Sequence, residues 1–380
     1  MGITADGYYA GLMSGTSMDA IDACLIEIRD NHPQRLVAWH AQAIPAKLQT
    51  ALHDLVAPSW QGSLAVIAEL DQAFGRLQAT ALHRLLEKAG LGSSAVRAVG
   101  CHGQTIAHAP TGKTPYSWQL GDPTQVAEAT GITTVSDFRR RDLAAGGQGA
   151  PLVPAFHRHI LPDDEHDQVV LNIGGIANIT LWFGTTATVL GFDTGPGNTL
   201  MDAWSRHCRG DPYDRDGAWA ASGSCDADLL ARCLADSYFD QPPPKSTGRE
   251  HFHLQWLTSL LPDQFALQDV QATLCELSAR TIADAIRQYA PTARNIWVCG
   301  GGWHNKQLIK RLQANLANRT WRDTAELGFP ADWVEAAAFA WLAQRALTGQ
   351  AGNEPEVTGA SRRTVLGAIY PGRLTEARSA

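Results

Sequence analysis

Asp193 closes the apolar run TVLGF and stands directly before Thr194-Gly195-Pro196-Gly197-Asn198. A carboxylate placed there can take a proton from an attacking nucleophile while the glycine turn brings backbone N–H groups to a phosphate. An Asp in this position also caps a following helix or turn, and spacing alone leaves both readings open. Three other stretches share the pattern of a strand end followed by small residues: Met13 to Asp22, Asn172 to Asn178, and Gly300 to Gly302. Each allows a close approach of backbone N–H groups to an anion. One such turn is ordinary; four, each at a strand exit, point to a phosphate-bearing ligand.

Other residues are more ambiguous. Asp332 and Glu335 have the spacing of a capping box at a helix start, after Pro330. That reading explains both without function. Yet Glu335 heads a very apolar helix, where the dipole keeps a carboxylate ionised and able to serve a sugar hydroxyl or a water. Arg139, Arg140 and Arg141 suit a carboxylate or phosphate, or form a solvated basic loop. His102 and Gln104 lie in the polar turn GCHGQT, and Cys101-His102 lacks partners at metal-ligand spacing, so no zinc is expected. Two motifs fail on inspection. AHAPTGKT has Ala107 for the first glycine of a phosphate loop, and Pro110 and Pro115 interrupt the loop and the helix that must follow. GTSMD has Asp19 where a nucleophile elbow needs its second glycine.

The elements that must position these residues alternate between strand and helix. Residues 8 to 28 read as two strands joined at a Gly-Ser-Thr tip, and Val37 to Ile44 extends the sheet. Residues 46 to 56 and 63 to 89 show helical spacing, the second stopping before Gly90 and Gly92. VRAVGC and ITTVSDF read as strands, HAPTGKTPYSWQLGDP as a turn-rich stretch, and Thr124 to Thr130 as a helix. QVVLNIGGIANITLWF repeats the opening pattern of strand, glycine-rich turn and strand. NIWVCGGGWHNKQLIKRLQANL runs from strand through three glycines to a helix. ADWVEAAAFAWLAQRAL is apolar on nearly all sides and so reads as a buried helix. Two glycine-tipped hairpins, each leading a half-chain, suggest a duplicated α/β unit. The boundary is expected just before the basic, glycine-rich stretch 139 to 154, giving domains 1–136 and 137–380, with the last residues able to pack back on the first.

The bulk composition agrees. The chain has 380 residues, 44% hydrophobic and 18% charged, enough for sizeable cores. A formal net charge of -7 argues against nucleic-acid binding. Seven widely spaced cysteines without a CxxC suggest buried, reduced thiols. No secretory leader and no membrane-length apolar run is apparent, so a soluble, cytoplasmic protein is expected.

Taken together, GLMSGTSMDAID, GCHGQT, WQLGDP, DFRRRDLAAGGQGAPLVP, NIGGIANIT, GFDTGPGN and VCGGG resemble the anhydro-N-acetylmuramic acid kinases. The resemblance spans residue 11 to the 330s. It implies two duplicated actin-like, ribonuclease H-like α/β domains with ATP in a central cleft. It also implies a reaction: 1,6-anhydro-N-acetylmuramic acid, ATP and water give N-acetylmuramic acid 6-phosphate and ADP, in recycling of cell-wall sugars. Asp193 then activates the water that opens the ring, and Glu335 joins it in the catalytic site. The ATP positions become Gly15, Thr16, Ser17, Met18, Asp19, Ala20, Ile21 and Asp22, with Asn172, Gly174, Gly175, Gly195, Gly197, Gly300, Gly301 and Gly302. The sugar positions become His102, Gln104, Thr105, Arg139 and Asn178. Mg2+ accompanies ATP, held through waters near Asp19 or Asp193, and no residue is named as its direct ligand. A homodimer is implied as well. Such kinases often carry glycine where this chain has Ala20, a methyl that is tolerated if φ there is negative. Two alternatives stay open: a kinase for another amino sugar, and an actin-like nucleotide switch without a small substrate.

Overall fold

The computed structural model describes residues 6–15, 17–57, 59–162, 166–184, 188–248 and 251–373. By internal contacts the chain divides into two units. One comprises Met1–Leu161, Leu327–Phe329 and Trp333–Ala380; the other comprises Pro162–Glu326 and Pro330–Asp332.

The first unit is built on a mixed sheet. Its strands are β1 (Gly7–Met13), β2 (Ala20–Arg29), β3 (His32–Ala43), β4 (Val96–Cys101) and β7 (Thr134–Ser136), in the order β7-β4-β1-β2-β3. The strand Ala368–Tyr370 adds to β7 at the edge. β1, β2 and β3 are antiparallel neighbours, whereas β4 and β7 run parallel to β1. The side chains of β1 alternate between two faces. Ala10 and Leu12 join the core cluster that holds Leu70 and Phe74 of the helix Leu64–Ala89. Gly11, directly paired with Gly100 of β4, meets the helix Val334–Leu347 instead. A Cβ on Gly11 would lie 1.9 Å from the Ala336 carbonyl oxygen, and one on Gly100 would lie 2.0 Å from that of Phe339. The two glycines form a shallow seat that lets an alanine-rich helix lie directly on the sheet. That helix is buried almost all round, as its composition implies.

Two features differ from the sequence reading. The turn-rich stretch 108–123 contains most of a hairpin, β5 (Gln104–Ala109) and β6 (Tyr116–Leu120). Pro110, Gly112 and Pro115 lie in the connection, and the strand that follows GKT agrees with the rejected phosphate-loop reading. The glycine-rich stretch 139–154 lies within the first unit rather than opening the second. The cause is Asp142, fully buried, whose carboxylate accepts from Gly149 N–H, Asn353 Nδ2 and Thr358 Oγ1, each at 2.8 Å. A buried carboxylate needs this degree of pairing. Here the pairing fastens the loop to the C-terminal segment.

The second unit repeats the plan. β8 (Gln168–Ile173), β9 (Ile176–Phe183), β10 (Thr188–Pro196), β11 (Asn295–Cys299) and β12 (Thr320–Asp323) form a sheet of order β10-β9-β8-β11-β12. β8, β9 and β10 are antiparallel neighbours, and β11 and β12 run parallel to β8. Strand for strand this is the order and direction of the first sheet. The duplication suggested by two hairpins is thus a duplication of topology, each sheet having the ribonuclease H-like strand order. The helix Leu267–Tyr289 packs across β9 and β10 and supplies much of this unit's core.

Candidate active site

In the first unit the sites gather where β1 and β4 end. The β1–β2 tip turns at Gly15–Met18, closed by Met18 N–H donating to the Gly15 carbonyl at 3.2 Å. Met18 holds a left-handed backbone, φ 55°, and its buried side chain anchors the tip in the core. Ser17 and Asp19 are exposed, and the Ser17 hydroxyl donates to the Asp19 carboxylate. Thr16 lies outside the described residues. Ala20 opens β2 in strand conformation, so its methyl is accommodated without strain. Ile21 is fully buried in the core, and Asp22 is half-buried opposite Met13.

Gln104 is fully buried. Its Oε1 accepts from the Ser14 hydroxyl at 2.8 Å, and its Nε2 donates to the carbonyls of Gly15 at 3.4 Å and Thr105 at 3.2 Å. Its amide therefore braces the tip against the start of β5. The Thr105 hydroxyl accepts from Gln119 Nε2 at 3.1 Å.

His102, 4% exposed, sits at the exit of β4. Its Nδ1 is 2.8 Å from the Gly103 carbonyl and must donate to it. Nε2 is then the acceptor, facing Arg139 Nε at 3.1 Å and Nη2 at 2.9 Å. Burial, with the Arg139 guanidinium beside it, holds the imidazole well below the usual histidine range. His102 is thus a neutral acceptor that orients Arg139, not a proton donor at neutral pH. Arg139 Nη1 also donates to the Gly149 carbonyl at 2.7 Å. The three arginines separate: Arg139 is half-buried and held, whereas Arg140 and Arg141 are exposed, Arg140 beside Asp137.

Glu335 lies half-buried in the first turn of its helix. The capping box does not form. The N-cap is Trp333, with no side-chain cap, and the Asp332 carboxylate accepts from His304 Nε2 at 3.0 Å.

In the second unit one row of side chains crosses the sheet. Asn172 of β8 pairs with Asn178 of β9, and Asn178 pairs with Asp193 of β10. Directly paired residues share a face, so the three project together. Immediately beyond Asp193 the register shifts, a bulge that turns the strand at the site. β8, β10 and β11 run in one direction, so the turn 174–175, the last residues of β10 with Gly197, and the turn 300–302 lie at the same end of the sheet.

These turns interlock. Gly197 N–H and Thr199 N–H donate to the Gly175 carbonyl at 2.9 and 3.0 Å, and Asn198 N–H donates to Gly174 at 2.9 Å. A Cβ on Gly197 would lie 2.4 Å from the Gly174 carbonyl oxygen. Gly195 has φ +138° and packs on Phe239. Gly300, with φ +81°, abuts the Asn172 side chain, its N–H taken by Ala331, and Gly302 abuts Ile173. Gly301 faces open space. Several glycines of the pattern are therefore glycines because a neighbouring backbone, at Gly197, or side chain, at Gly195, Gly300 and Gly302, leaves no room for a Cβ.

The sequence reading passed over Tyr238, Lys245 and Thr247, which surround Asp193. Thr247 N–H donates to Asp193 Oδ2 at 3.0 Å, and the Tyr238 hydroxyl donates to the Asp193 carbonyl at 2.6 Å. The visible signal was PPPKSTG, a proline-stiffened run ending in polar residues.

A family model described as anhydro-N-acetylmuramic acid kinase matches residues 7–372. A Coxiella burnetii protein of that name is 48% identical over 366 residues, covering 96% of this chain and 97% of its own. Proteins of the same name from Xanthomonas campestris pv. campestris and Xylella fastidiosa are each 49% identical, covering 96% of this chain and 97% and 96% of their own. With two sheets of one topology, the glycine turns at their edges and these full-length matches, the chain belongs to the anhydro-N-acetylmuramic acid kinase family.

Proposed function

We propose that this kinase hydrolyses the 1,6-anhydro bond of 1,6-anhydro-N-acetylmuramic acid and phosphorylates O6, giving N-acetylmuramic acid 6-phosphate and ADP. The observation that carries the reading is Asp193 at the edge of a glycine-turned sheet, with Asn172 and Asn178 in its row. Asp193 takes a proton from water as the water oxygen bonds to C1. The C1–O6 bond breaks, and O6 bonds to the γ-phosphorus of ATP as ADP leaves. Glu335 supports the sugar or the water. Arg139, oriented by His102, suits the sugar's carboxylate, and Asn178 and Thr105 offer polar contacts.

ATP phosphates are assigned to the tips Gly15–Asp19 and Gly174–Gly175, and to Gly301. Gly195, Gly197, Gly300 and Gly302 shape these turns. Ile21 and Asp22 hold the first hairpin. Among the described residues no three acidic, His or Cys side chains converge as a metal cage. The exposed Asp19 carboxylate suits an outer-shell contact to hydrated Mg2+, which neutralises charge on the transferring phosphate when bound. Cytoplasmic work suits seven free cysteines. No helix among the described residues is long and apolar enough to cross a membrane. A homodimer is the expected state, to be read by sedimentation.

A coupled ADP assay over a sugar panel tests the reaction. ADP release should require the anhydro sugar, and in 18O water one labelled oxygen should appear at C1. Label absent from C1 would leave a plain hydroxyl kinase; sugar-independent ATP hydrolysis would leave a nucleotide switch. The brace gives a second expectation. Gln104→Leu removes the donor to the Gly15 carbonyl and leaves the Ser14 hydroxyl only the Ala20 carbonyl at 3.1 Å, so KM for ATP should rise about tenfold, the equivalent of one lost buried hydrogen bond. An unchanged KM for ATP would separate Gln104 from the phosphate tip.

A further inference from the structure

We propose that the segment Tyr238–Thr247 is a strap that fixes the direction of the Asp193 carboxylate, with Lys245 as the positioning residue that ties the strap closed. The inference rests on the reading of Asp193 as the base and names what aims it.

Three bonds from this segment converge on Asp193. Its N–H donates to the Lys245 carbonyl at 3.1 Å. Its carbonyl accepts the Tyr238 hydroxyl at 2.6 Å. Its Oδ2 accepts Thr247 N–H at 3.0 Å. With main chain and one carboxylate oxygen held, the orientation of the other oxygen is set. A base must point at its proton, so this placement bears directly on rate.

Lys245 joins the two ends of the strap. Its ammonium donates to the carbonyls of Tyr238 at 3.1 Å and Phe239 at 3.3 Å, and lies 4.7 Å from the centre of the Tyr238 ring. No described carboxylate lies within ion-pair distance of it; its near partners are the strap's own main chain and ring, with the Phe192 ring of β10 further off at 5.9 Å. Burial lowers its pKa, only partly opposed by the charges of Asp240 and Asp193. The Tyr238 phenol is held protonated by burial and by Asp193, and so remains a donor. Beside these bonds the Thr247 hydroxyl is buried without a partner. Pro242, Pro243 and Pro244 restrict the backbone leading into Lys245.

Two variants test the strap. Lys245→Met keeps a long unbranched stem and removes the ammonium; Tyr238→Phe keeps the ring and removes the hydroxyl. Each should lower kcat with the anhydro sugar about 10- to 100-fold. The Kd and stoichiometry of a non-hydrolysable ATP analogue, which count folded sites, should stay within about twofold. Asp193→Asn is measured alongside. If Asp193→Asn is inactive and both strap variants turn over like wild type, the strap is overturned and the reading of Asp193 stands. If kcat falls only in step with lost analogue sites, the segment is merely structural and the inference is overturned. An active Asp193→Asn overturns both. Should Lys245→Met not fold, Tyr238→Phe alone decides.

Discussion

Asp193→Asn should lower turnover of the anhydro sugar by about three orders of magnitude, within the range ascribed to a general base. ATP-analogue affinity should stay within about threefold, because the phosphate tips are separate backbone structures. The substitution is nearly isosteric. Asn keeps an oxygen that can accept the Thr247 N–H, and the main-chain bonds to Lys245 and Tyr238 are unaltered. What is lost is the ability to hold a proton. The measurement is single-turnover product formation beside a binding titration. Normal turnover in Asp193→Asn sinks the mechanism, whereas lost ATP binding would show that the residue acts on the nucleotide.

The second large effect lies away from the chemistry. Gly11→Ala should destabilise the first unit by about 3 kcal/mol or more, the upper range of overpacking. Its melting temperature should fall by roughly 5–10 °C. The added carbon would lie 1.9 Å from the Ala336 carbonyl oxygen and 2.7 Å from the Ala340 nitrogen. Both are helix backbone, so no side-chain rotation relieves the clash. The helix Val334–Leu347 must lift from β1, and Glu335 in its first turn moves with it. Calorimetry checks the stability, and kcat at low temperature checks the displacement. A melting temperature equal to wild type would mean that the helix seat is looser than the structure shows.

Much of the architecture was readable from local pattern. The paired strands 7–13 and 20–29, their echo at 168–183 and the helix 64–89 follow from alternation, helical spacing and Gly90 at a left-handed C-cap. The buried helix after Pro330 followed from its apolar composition. The hairpin 104–120 was obscured, because Pro110, Gly112 and Pro115 in its connection outweigh the short alternation of YSWQL.

The amino-acid sequence by itself settled where the glycine-rich stretches fall and that the halves share a plan, and it put Asp193 at the end of a strand that in fact runs on to Pro196. These are properties of short windows, governed by backbone conformation and side-chain period. Tertiary structure decided what each residue is for. Glycine is chosen alike for an approaching phosphate and for an approaching backbone, so only packing shows that Gly11, Gly100 and Gly197 serve the second. Asp332 and Glu335 have capping spacing, but His304 takes Asp332. Gln104 looked like a polar turn residue, yet its amide is buried against Ser14, 90 positions away in the chain. Asp193 is held by residues about fifty positions further on. Partners so distant in sequence leave no local period, because they are selected by the shape and unsatisfied polar groups of the folded core.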